Sequence, residues 1–296
     1  MIAGVETGGT KVVCGIAHRD APGEPLEVRR FPTTTPEETT ARIDAYFAEV
    51  GEPLEALGVA SFGPVNVEPD RPRYGWVTST PKRGWQDTDL LGRIPLAARV
   101  PHVVLSDVVA AALGEHRHGA AADARTTAYA TVGTGIGAGL VVHDMPVHGN
   151  GFPELGHLLV RRHPKDGFAG TCPYHGDCLE GLASGPAVLA RWGVDSSSIP
   201  ADRRAEAHEI LGSYLAQLVG VVLMTIGADR MVMGGGVLKA PGLLDEVRRQ
   251  VPRLDAGYTL RDGASEPGAV ARLVVPPALE DAGLVGALTA AADLPA

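Results

Sequence analysis

A glycine-rich turn between two apolar, β-branched runs occurs twice in this sequence. In the first copy, residues 6–11 (Glu-Thr-Gly-Gly-Thr-Lys) separate the runs at residues 2–5 and 12–17. In the second copy, the glycine-rich residues 133–139 separate residues 128–132 from 140–143. Such runs around a glycine turn predict a strand, a turn and a strand. Because the arrangement recurs after about 125 residues, it indicates a duplicated lobe.

Helical and strand patterns alternate along the rest of the chain. Pro36–Val50 predicts a helix, since Pro36 suits a first helical position and Ile43, Phe47 and Val50 follow a helical spacing. Residues 66–101 are rich in loop-forming residues, and the sequence does not assign elements there. The other predicted elements are strands at 28–31, 57–61, 102–105, 230–233 and 271–275, and helices at 108–119, 202–226, 241–249 and 281–294.

Composition limits the possible classes of protein. With 296 residues, 45% of them hydrophobic, the chain is long enough for one large domain or two lobes. A net charge of -9 argues against a nucleic-acid partner, and three cysteines are too few for a disulfide scaffold. The longest apolar stretch identified, Leu218–Ala228, is about half of a bilayer span, and the first residues lack the pattern of a signal peptide. We therefore expect a soluble cytoplasmic protein with no membrane partner.

Three glycine-rich loops are candidates for binding phosphate or a flat ligand. Gly8 and Gly9 let backbone N–H groups approach an anion, and Thr10 and Lys11 add donors and charge. The alternative is an ordinary hairpin turn with an exposed lysine. Residues 133–139 do not match a dinucleotide-binding fingerprint, because the spacing differs and a strand follows. Residues 234–236, three glycines after an apolar run, leave room for a ligand or form a simple loop.

Two carboxylate positions are candidates for sugar chemistry. Asp107 follows a predicted strand and starts a predicted helix, where it could accept a proton from a substrate hydroxyl. A carboxylate at this position also suits the start of a helix without any catalytic role. Glu154 and His157, three residues apart, could share one face of a helical turn and bind sugar hydroxyls. The alternative is a pair of solvated surface residues.

A metal site is indicated by Cys172, His175 and Cys178, which are spaced C-x2-H-x2-C. In a cytoplasmic protein this spacing favours tetrahedral zinc over a disulfide. The spacing leaves two candidates for the fourth ligand, His157 and His163. Such a set would close a structural site with no open position. The alternative is a pair of buried cysteines without a ligand.

Taken together, these motifs resemble the ROK family of sugar kinases and repressors, and the resemblance covers almost the whole chain. The segments that carry it are residues 6–11, Ser106-Asp107, residues 133–137, Glu154-Leu155-Gly156-His157 and residues 234–236. Three further segments resemble the fructokinase branch of that family: Thr80–Trp85, Arg162–Asp166 and Cys172–Leu182.

The resemblance implies an α/β, two-lobed actin-like ATPase (ribonuclease H-like) fold with duplicated lobes and a central cleft. The N-terminal α/β lobe would span residues 1–108, with the C-terminal helix at 281–296 packing back on it. The C-terminal α/β lobe would span residues 109–280 and carry a zinc-binding loop at 157–178.

The resemblance also implies the ligands and the residues that bind them. The cofactors are ATP with Mg²⁺ and a structural Zn²⁺, and Asp107 is the general base. The ATP-binding residues are Gly8, Gly9, Thr10, Lys11, Gly133, Thr134, Gly135, Pro186, Gly234, Gly235 and Gly236. The sugar-binding residues are Gly63, Glu154, His157 and Glu180. The zinc ligands are His157, Cys172, His175 and Cys178, because the family's zinc histidine belongs to the Glu-x-Gly-His motif; His163 is the alternative to His157.

Three residues depart from the pattern of many relatives. Glu6 replaces an aspartate, as in the fructokinase-like branch, and could position magnesium through water. His175 replaces one cysteine of a Cys-x-Cys pair, which still suits zinc. Val109 replaces the asparagine of Asp-x-Asn, so its side chain cannot hydrogen-bond and the contacts to the sugar are expected to differ.

The predicted function is ATP-dependent phosphorylation of a hexose, with D-fructose giving fructose 6-phosphate. The alternatives are a kinase for glucose, mannose or an N-acetylhexosamine and, more remotely, a non-catalytic sugar sensor. The family's repressors need an N-terminal helix-turn-helix, which we do not expect here because the first strand starts at residue 2 and the chain is acidic. The resemblance further implies a homodimer with a small-molecule sugar as its substrate.

Overall fold

The computed structural model describes residues 1–80, 82–149, 151–260 and 268–295; Pro81 of the Thr80–Trp85 segment, Asn150, residues 261–267 and Ala296 lie outside the described residues. The strands are β1 (Ile2–Thr7), β2 (Lys11–Ala17), β3 (Glu27–Pro32), β4 (Ala56–Ser61), β5 (Trp76–Val77), β6 (Thr88–Asp89), β7 (His102–Ser106), β8 (Thr126–Val132), β9 (Ile136–Val142), β10 (Met145–Pro146), β11 (Arg230–Gly234) and β12 (Val274–Val275). The helices are α1 (Pro36–Glu49), α2 (Asp107–His118), α3 (Leu179–Ala183), α4 (Gly185–Trp192), α5 (Ala201–Ile226), α6 (Leu243–Asp255), α7 (Ala269–Leu273) and α8 (Ala282–Ala292).

Two predicted elements differ from the structure. The strand predicted at 271–275 is wrong for its first three residues, which belong to the helix α7; only Val274 and Val275 form a strand, paired with β11. The helix predicted at 241–249 continues to Asp255 as α6, although it contains Pro252. Leu243, Val247 and Val251 recur at a spacing of four and are buried, so packing of this stripe maintains the helix.

Contacts within the chain divide it into two compact units. The first unit comprises Met1–Ala122, Asp144–Phe152 and Ala278–Ala296, and the second comprises Asp123–His143 and Pro153–Pro277. The sequence placed the boundary at residue 108, whereas here the whole of α2 belongs to the first unit. The reason is that α2 packs closely along α8, which is also in the first unit.

The sheet of the first unit has the strand order β3-β2-β1-β4-β7. Strand β1 is antiparallel to β2 and parallel to β4, which is parallel to β7. Alternate side chains of β1 serve two cores, since neighbouring residues of a strand point to opposite faces. Ala3 and Val5 pack in one core with Ile43 of α1, and Ile2 packs in the other with Leu288 of α8.

Glycines allow α8 to lie directly on the sheet and on α2. A Cβ atom on Gly58 of β4 would lie 1.9 Å from the carbonyl oxygen of Ala287, and one on Gly286 would lie 1.7 Å from that of Ala110. Any larger residue would therefore push α8 away. The fully buried carboxylate of Glu115 in α2 also accepts hydrogen bonds from the backbone N–H groups of 278 and 279, which lead into α8.

The sheet of the second unit repeats the strand arrangement of the first. Its order β9-β8-β11-β12 corresponds to β2-β1-β4-β7: an antiparallel hairpin, then two parallel strands. The hairpins β1–β2 and β8–β9 contain the two glycine-rich turns of the sequence. The common order supports duplication of one ancestral lobe.

Helix α5 is long and apolar enough to cross a membrane by length and composition alone. It is longer than the apolar stretch Leu218–Ala228 identified from the sequence. More than half of its most apolar window is buried inside the protein, and the helix packs against α3 and α6. These contacts are those of a core helix, which passes the same test of length and hydropathy.

Candidate active site and metal centre

The parallel strands of the first unit end together at one edge of its sheet. β1, β4 and β7 finish at Thr7, Ser61 and Ser106, and the Thr7 hydroxyl donates to the Ser61 hydroxyl at 3.0 Å. The loops that follow β1 and β4 carry Gly8 and Gly63, and Asp107 starts the helix that follows β7 directly. Ligands of open α/β sheets bind beyond the carboxyl ends of the strands. Three of the sequence-predicted site segments therefore lie at the edge where a ligand is expected.

The first glycine turn is held in shape by backbone and side-chain hydrogen bonds. The Gly8 N–H donates to the carbonyl of Lys11 at 2.8 Å, and the Thr33 hydroxyl donates to the carbonyl of Gly8 at 2.7 Å. The Thr33 N–H donates to the carbonyl of Thr10 at 2.9 Å. Among the residues that the structure describes, none outside the chain neighbours of Gly9 has an atom within 4 Å of its Cβ position. The tip of the turn is consequently open on that side.

Charged side chains surround the base of this turn. Lys11 Nζ lies 3.2 Å from Asp281 Oδ1, and Arg30 also pairs with the Asp281 carboxylate, which is 7% exposed. Burial raises the pKa of Glu6, Lys11 lowers it by a smaller amount, and Asp281 raises it further. Gly283 makes room for Glu6, because a Cβ there would lie 2.6 Å from the carboxyl carbon of Glu6. The start of α8 thus forms part of this charged cluster.

Asp107 is the first residue of α2 and is partly buried. Its helix is capped by Ser106, whose hydroxyl accepts from the N–H of Val109 at 3.3 Å. Ser106, and not Asp107, is therefore the N-cap residue of α2. The Oδ1 atom of Asp107 accepts a hydrogen bond from the Val108 N–H at 2.8 Å. The side chain of Val109 is buried, with 3% exposed, so this position faces the core.

The second unit carries its glycine loops at the carboxyl ends of β8 and β11. The N–H of Gly185, the first residue of α4, donates to the carbonyl of Gly133 at 2.7 Å, which places the start of α4 beside the turn. Pro186 and Thr134 are exposed there. Gly235 has φ of +98°, and a Cβ would lie 2.5 Å from the backbone of Val132. Only glycine allows this close approach between the two loops.

Glu154, His157 and Glu180 form an electrostatic group in the second unit. Burial raises the pKa of Glu154, His157 lowers it, and Glu180 raises it. Glu180 Oε2 accepts from the N–H of Ile136 at 2.9 Å, which ties Glu180 to the turn at residues 133–135. The structure thus brings the sequence-predicted sugar residues of this unit close to its predicted phosphate turn.

Four potential metal ligands cluster in the second unit: one ligand atom each of His157, Cys172, His175 and Cys178, all within 4.8 Å of one another. The Nδ1 atom of His157 lies 3.7 Å from the sulfur of Cys172 and 3.6 Å from that of Cys178. Zinc bonds of ordinary length at tetrahedral angles put sulfur and nitrogen roughly 3.6 Å apart. The cluster therefore has the dimensions of a zinc site.

His163, the alternative fourth ligand, lies elsewhere. Its Nε2 atom is 3.6 Å from a carboxylate oxygen of Glu209, and its backbone N–H donates to the hydroxyl of Tyr214. Among the residues that the structure describes, His157 is thus the histidine that joins His175 and the two cysteines.

A partly buried network around the Arg162–Asp166 segment was not predicted from the sequence. Arg162 Nη1 donates to Asp177 Oδ2 at 3.1 Å, within the metal loop. Asp166 pairs with Arg191 of α4 at 2.9 Å and accepts from the Tyr214 hydroxyl of α5 at 2.7 Å. These partners are far apart in the sequence, so no local spacing signals the network.

Lys82 and Asp281 were also not predicted as parts of a site. Lys82 Nζ donates to the carbonyl of Gly9 at 2.6 Å. Lys82 and Asp281 lie 73 and 270 residues from their partners Gly9 and Lys11. The Thr80–Trp85 motif was the single local signal for Lys82.

Comparison with known proteins gives consistent matches along the chain. The model of the ROK family matches residues 2–293. A fructokinase from Zymomonas mobilis is 38% identical, with 97% of this chain and 95% of the relative covered. The ROK hexokinase from Thermus thermophilus has a TM-score of 0.78 at 25% identity, covering 98% of this chain and 97% of that one. A ROK family glucokinase from Streptomyces griseus, solved with glucose and AMPPNP, has a TM-score of 0.70 at 26% identity, covering 98% of both chains. The fold is that of the actin-like ATPases.

Proposed function

The chain belongs to the ROK family, and from this membership we propose that it is an ATP-dependent hexose kinase that phosphorylates D-fructose to fructose 6-phosphate. The observation that carries the choice of substrate is the 38% identity to a fructokinase along nearly the whole of both chains. A shared fold alone would not support a substrate, because one fold serves many functions.

Asp107 is proposed to be the general base. It lies at the carboxyl end of β7, beside the loops that follow β1 and β4, and Ser106 rather than Asp107 caps the helix. In the proposed reaction the fructose O6 atom attacks the γ-phosphorus of ATP and its proton passes to the Asp107 carboxylate. The bond from the γ-phosphorus to the bridging oxygen breaks, and ADP leaves with that electron pair.

The glycine loops are proposed to bind the nucleotide. In the first unit the ATP-binding residues are Gly8, Gly9, Thr10 and Lys11, whose backbone is held by Thr33. In the second unit they are Gly133, Thr134, Gly135, Pro186, Gly234, Gly235 and Gly236. Backbone N–H groups and Lys11 would stabilise negative charge on the phosphates. Mg²⁺ would neutralise further phosphate charge when bound, and Glu6 would orient its water ligands.

The proposed sugar-binding residues are Gly63 in the first unit and Glu154, His157 and Glu180 in the second. The raised pKa of Glu154 reflects burial beside Glu180, a setting that suits hydrogen bonds to neutral hydroxyls. One carboxylate oxygen of Glu180 accepts a hydrogen bond from the backbone N–H of Ile136.

A structural zinc ion is proposed at His157, Cys172, His175 and Cys178. The support is the match between the sulfur–nitrogen distances of 3.6–3.7 Å and tetrahedral geometry. Two thiolates and two imidazoles leave no open position, so the metal would stabilise the loop and would not activate water. The ligand His157 and the sugar candidate Glu154 belong to one short segment, which links the metal to the sugar site.

The deciding experiment measures ADP release from Mg-ATP with fructose, glucose, mannose, N-acetylmannosamine and N-acetylglucosamine. We expect a clear preference for fructose. For Asp107→Asn we expect kcat to fall by about 10²–10⁴-fold, because a positioned base contributes that much, with a small change in the KM for fructose. Asp202→Asn is the matched control, since Asp202 is an exposed aspartate in the first turn of α5.

Each other outcome corrects a specific part of the proposal. Preference for another hexose would keep the kinase and reject fructose. Near-wild-type turnover by Asp107→Asn would show that Asp107 is not the general base. Absence of turnover on every sugar by folded, metal-loaded protein would reject the kinase and favour a non-catalytic sugar binder.

We also propose a cytoplasmic homodimer. The thiolate ligands of the zinc cluster support a reducing compartment, where unpaired cysteines persist. The homodimer rests on the resemblance described above. Light scattering at several concentrations tests it, and a monomer mass throughout would reject it.

A further inference from the structure

The Thr80–Trp85 segment anchors a lysine beside the first glycine turn. Trp85 is fully buried, and its Nε1 donates to the carbonyl of Thr34 at 2.8 Å. Its ring meets the ring of Phe62 edge-on, with centroids 5.2 Å apart. The Trp85 N–H donates to the carbonyl of Lys82 at 3.2 Å. This tryptophan therefore holds the backbone from which the Lys82 side chain extends.

Lys82 also has a defined side-chain position. Its backbone N–H donates to the hydroxyl of Thr80 at 3.3 Å, while Nζ donates to the carbonyl of Gly9 at 2.6 Å. The carbonyl of Thr33 lies 3.5 Å from the same nitrogen. An ammonium group has three donors, so Lys82 can bind a further acceptor at the tip of the turn without leaving Gly9.

The two lysines at the turn differ in how their charge is compensated. The charge of Lys11 is paired with the buried carboxylate of Asp281, which Arg30 also contacts. Lys82 has no carboxylate within ion-pair distance among the residues that the structure describes; its contacts are backbone carbonyls. Carbonyl oxygens orient an ammonium but do not cancel its charge. Within the described part of the chain, Lys82 is therefore a cation that contacts the turn through a carbonyl and has no carboxylate partner.

We propose that Lys82 is a catalytic residue that contacts the γ-phosphoryl group during its transfer. This inference rests on the proposed kinase function and adds a second cation to its phosphate site. As the fructose O6–phosphorus bond forms and the bond to the bridging oxygen of ADP breaks, Lys82 stabilises the charge on the peripheral oxygens of the phosphoryl group. Asp107 takes the hydroxyl proton, and Lys82 stays protonated throughout.

The experiment compares Lys82→Met with Arg83→Met and Lys82→Arg. Arg83 is the matched control, because it is the neighbouring exposed cation and makes no side-chain contact among those the structure describes. For Lys82→Met we expect kcat/KM for Mg-ATP to fall about a hundredfold, as for the loss of one donor to a developing negative charge. Lys82→Arg keeps the charge and should recover most of this loss. Arg83→Met should resemble the wild type.

Binding measurements separate a phosphate contact from a structural role. By titration calorimetry without sugar, Lys82→Met should weaken Mg-AMPPNP, which has a γ-phosphate, and leave Mg-ADP within about twofold. The Tm should equal that of the wild type. Equal losses for both nucleotides, or a lowered Tm with loss of activity, would overturn the proposal, as would kinetics identical to those of Arg83→Met.

The proposed function and this inference fail in different ways. If the wild type phosphorylates no sugar, the kinase proposal fails, while the AMPPNP and ADP comparison still decides whether Lys82 contacts a γ-phosphate. A different result would reject only the role of Lys82. In that case the wild type is active, and Lys82→Met binds Mg-AMPPNP and Mg-ADP with wild-type affinity and has wild-type turnover.

Discussion

Removal of one partner from the buried ion pair between Asp166 and Arg191 is predicted to destabilise the second unit strongly. Their side chains are 3% and 8% exposed, and the nitrogen–oxygen distance is 2.9 Å. Arg191 also stacks over Phe168 and Trp192. Burial lowers the pKa of Arg191 and Asp166 opposes this change, so the carboxylate is the group that keeps the buried guanidinium charged at low cost.

Asp166→Asn tests this contribution with little change of shape. The substitution leaves Arg191 charged and buried without its partner, and breaking a buried pair in this way costs about 3–5 kcal/mol. Two guanidinium nitrogens of Arg191, Nε and Nη1, have no hydrogen-bond partner among the described residues, so little local compensation is available. With about 2–4 °C of Tm per kcal/mol for a chain of this order of size, the Tm should fall by about 6–20 °C.

Differential scanning calorimetry provides the measurement, with two comparison variants. Lys165→Ala removes the exposed pair with Glu209 from the same loop and should change stability by less than about 1 kcal/mol. Asp166→Asn combined with Arg191→Met removes both charges and should recover much of the lost stability. A Tm change for Asp166→Asn as small as that of Lys165→Ala would refute the reasoning.

Three further predictions concern the thiols, the pH dependence of stability and the second glycine loop. Burial raises the pKa of the Cys14 thiol to about 12, so Cys14 should resist alkylation at pH 8 in the folded protein. Cys172 and Cys178 should become reactive once a chelator removes the proposed zinc. Mass spectrometry after labelling, with and without the chelator, measures this, and a faster reaction of Cys14 would contradict it. Because this pKa is raised on folding, the contribution of Cys14 to stability is complete below pH about 9 and is lost as the pH rises towards about 12, which denaturation at pH 8 and pH 10.5 can compare. Gly235→Ala should lower the Tm, since its Cβ would lie 2.5 Å from the backbone of Val132 at a φ of +98°, and it should also lower the affinity for Mg-ATP. Gly236→Ala is the control for the Tm alone, because its Cβ position has no contact within 4 Å among the described residues outside its chain neighbours. Equal Tm values for the two variants would contradict the steric requirement for glycine at position 235.

Family, fold class and enzyme class could all be predicted from local motifs, and these predictions are confirmed. The motifs are readable because each depends on short spacing: two glycines in a turn, or Cys172, His175 and Cys178 in one loop. The strand predicted at 271–275 was wrong for residues 271–273, because Leu273 precedes Val274 and Val275 in one apolar triplet although it ends a short helix. The roles of the individual site residues and the two lobe boundaries stay predictions.

The sequence by itself determined which chemical groups are present and the local turns that display them. The glycines at 8 and 9, the aspartate at the start of α2 and the zinc-type spacing follow from residue identity, because backbone freedom, capping and ligand chemistry act over a few residues. Only the tertiary structure decided how charges are paired. Lys11 pairs with Asp281 across 270 residues, whereas the ammonium group of Lys82 donates to the carbonyl of Gly9, since long-range contacts depend on which strands and helices pack together.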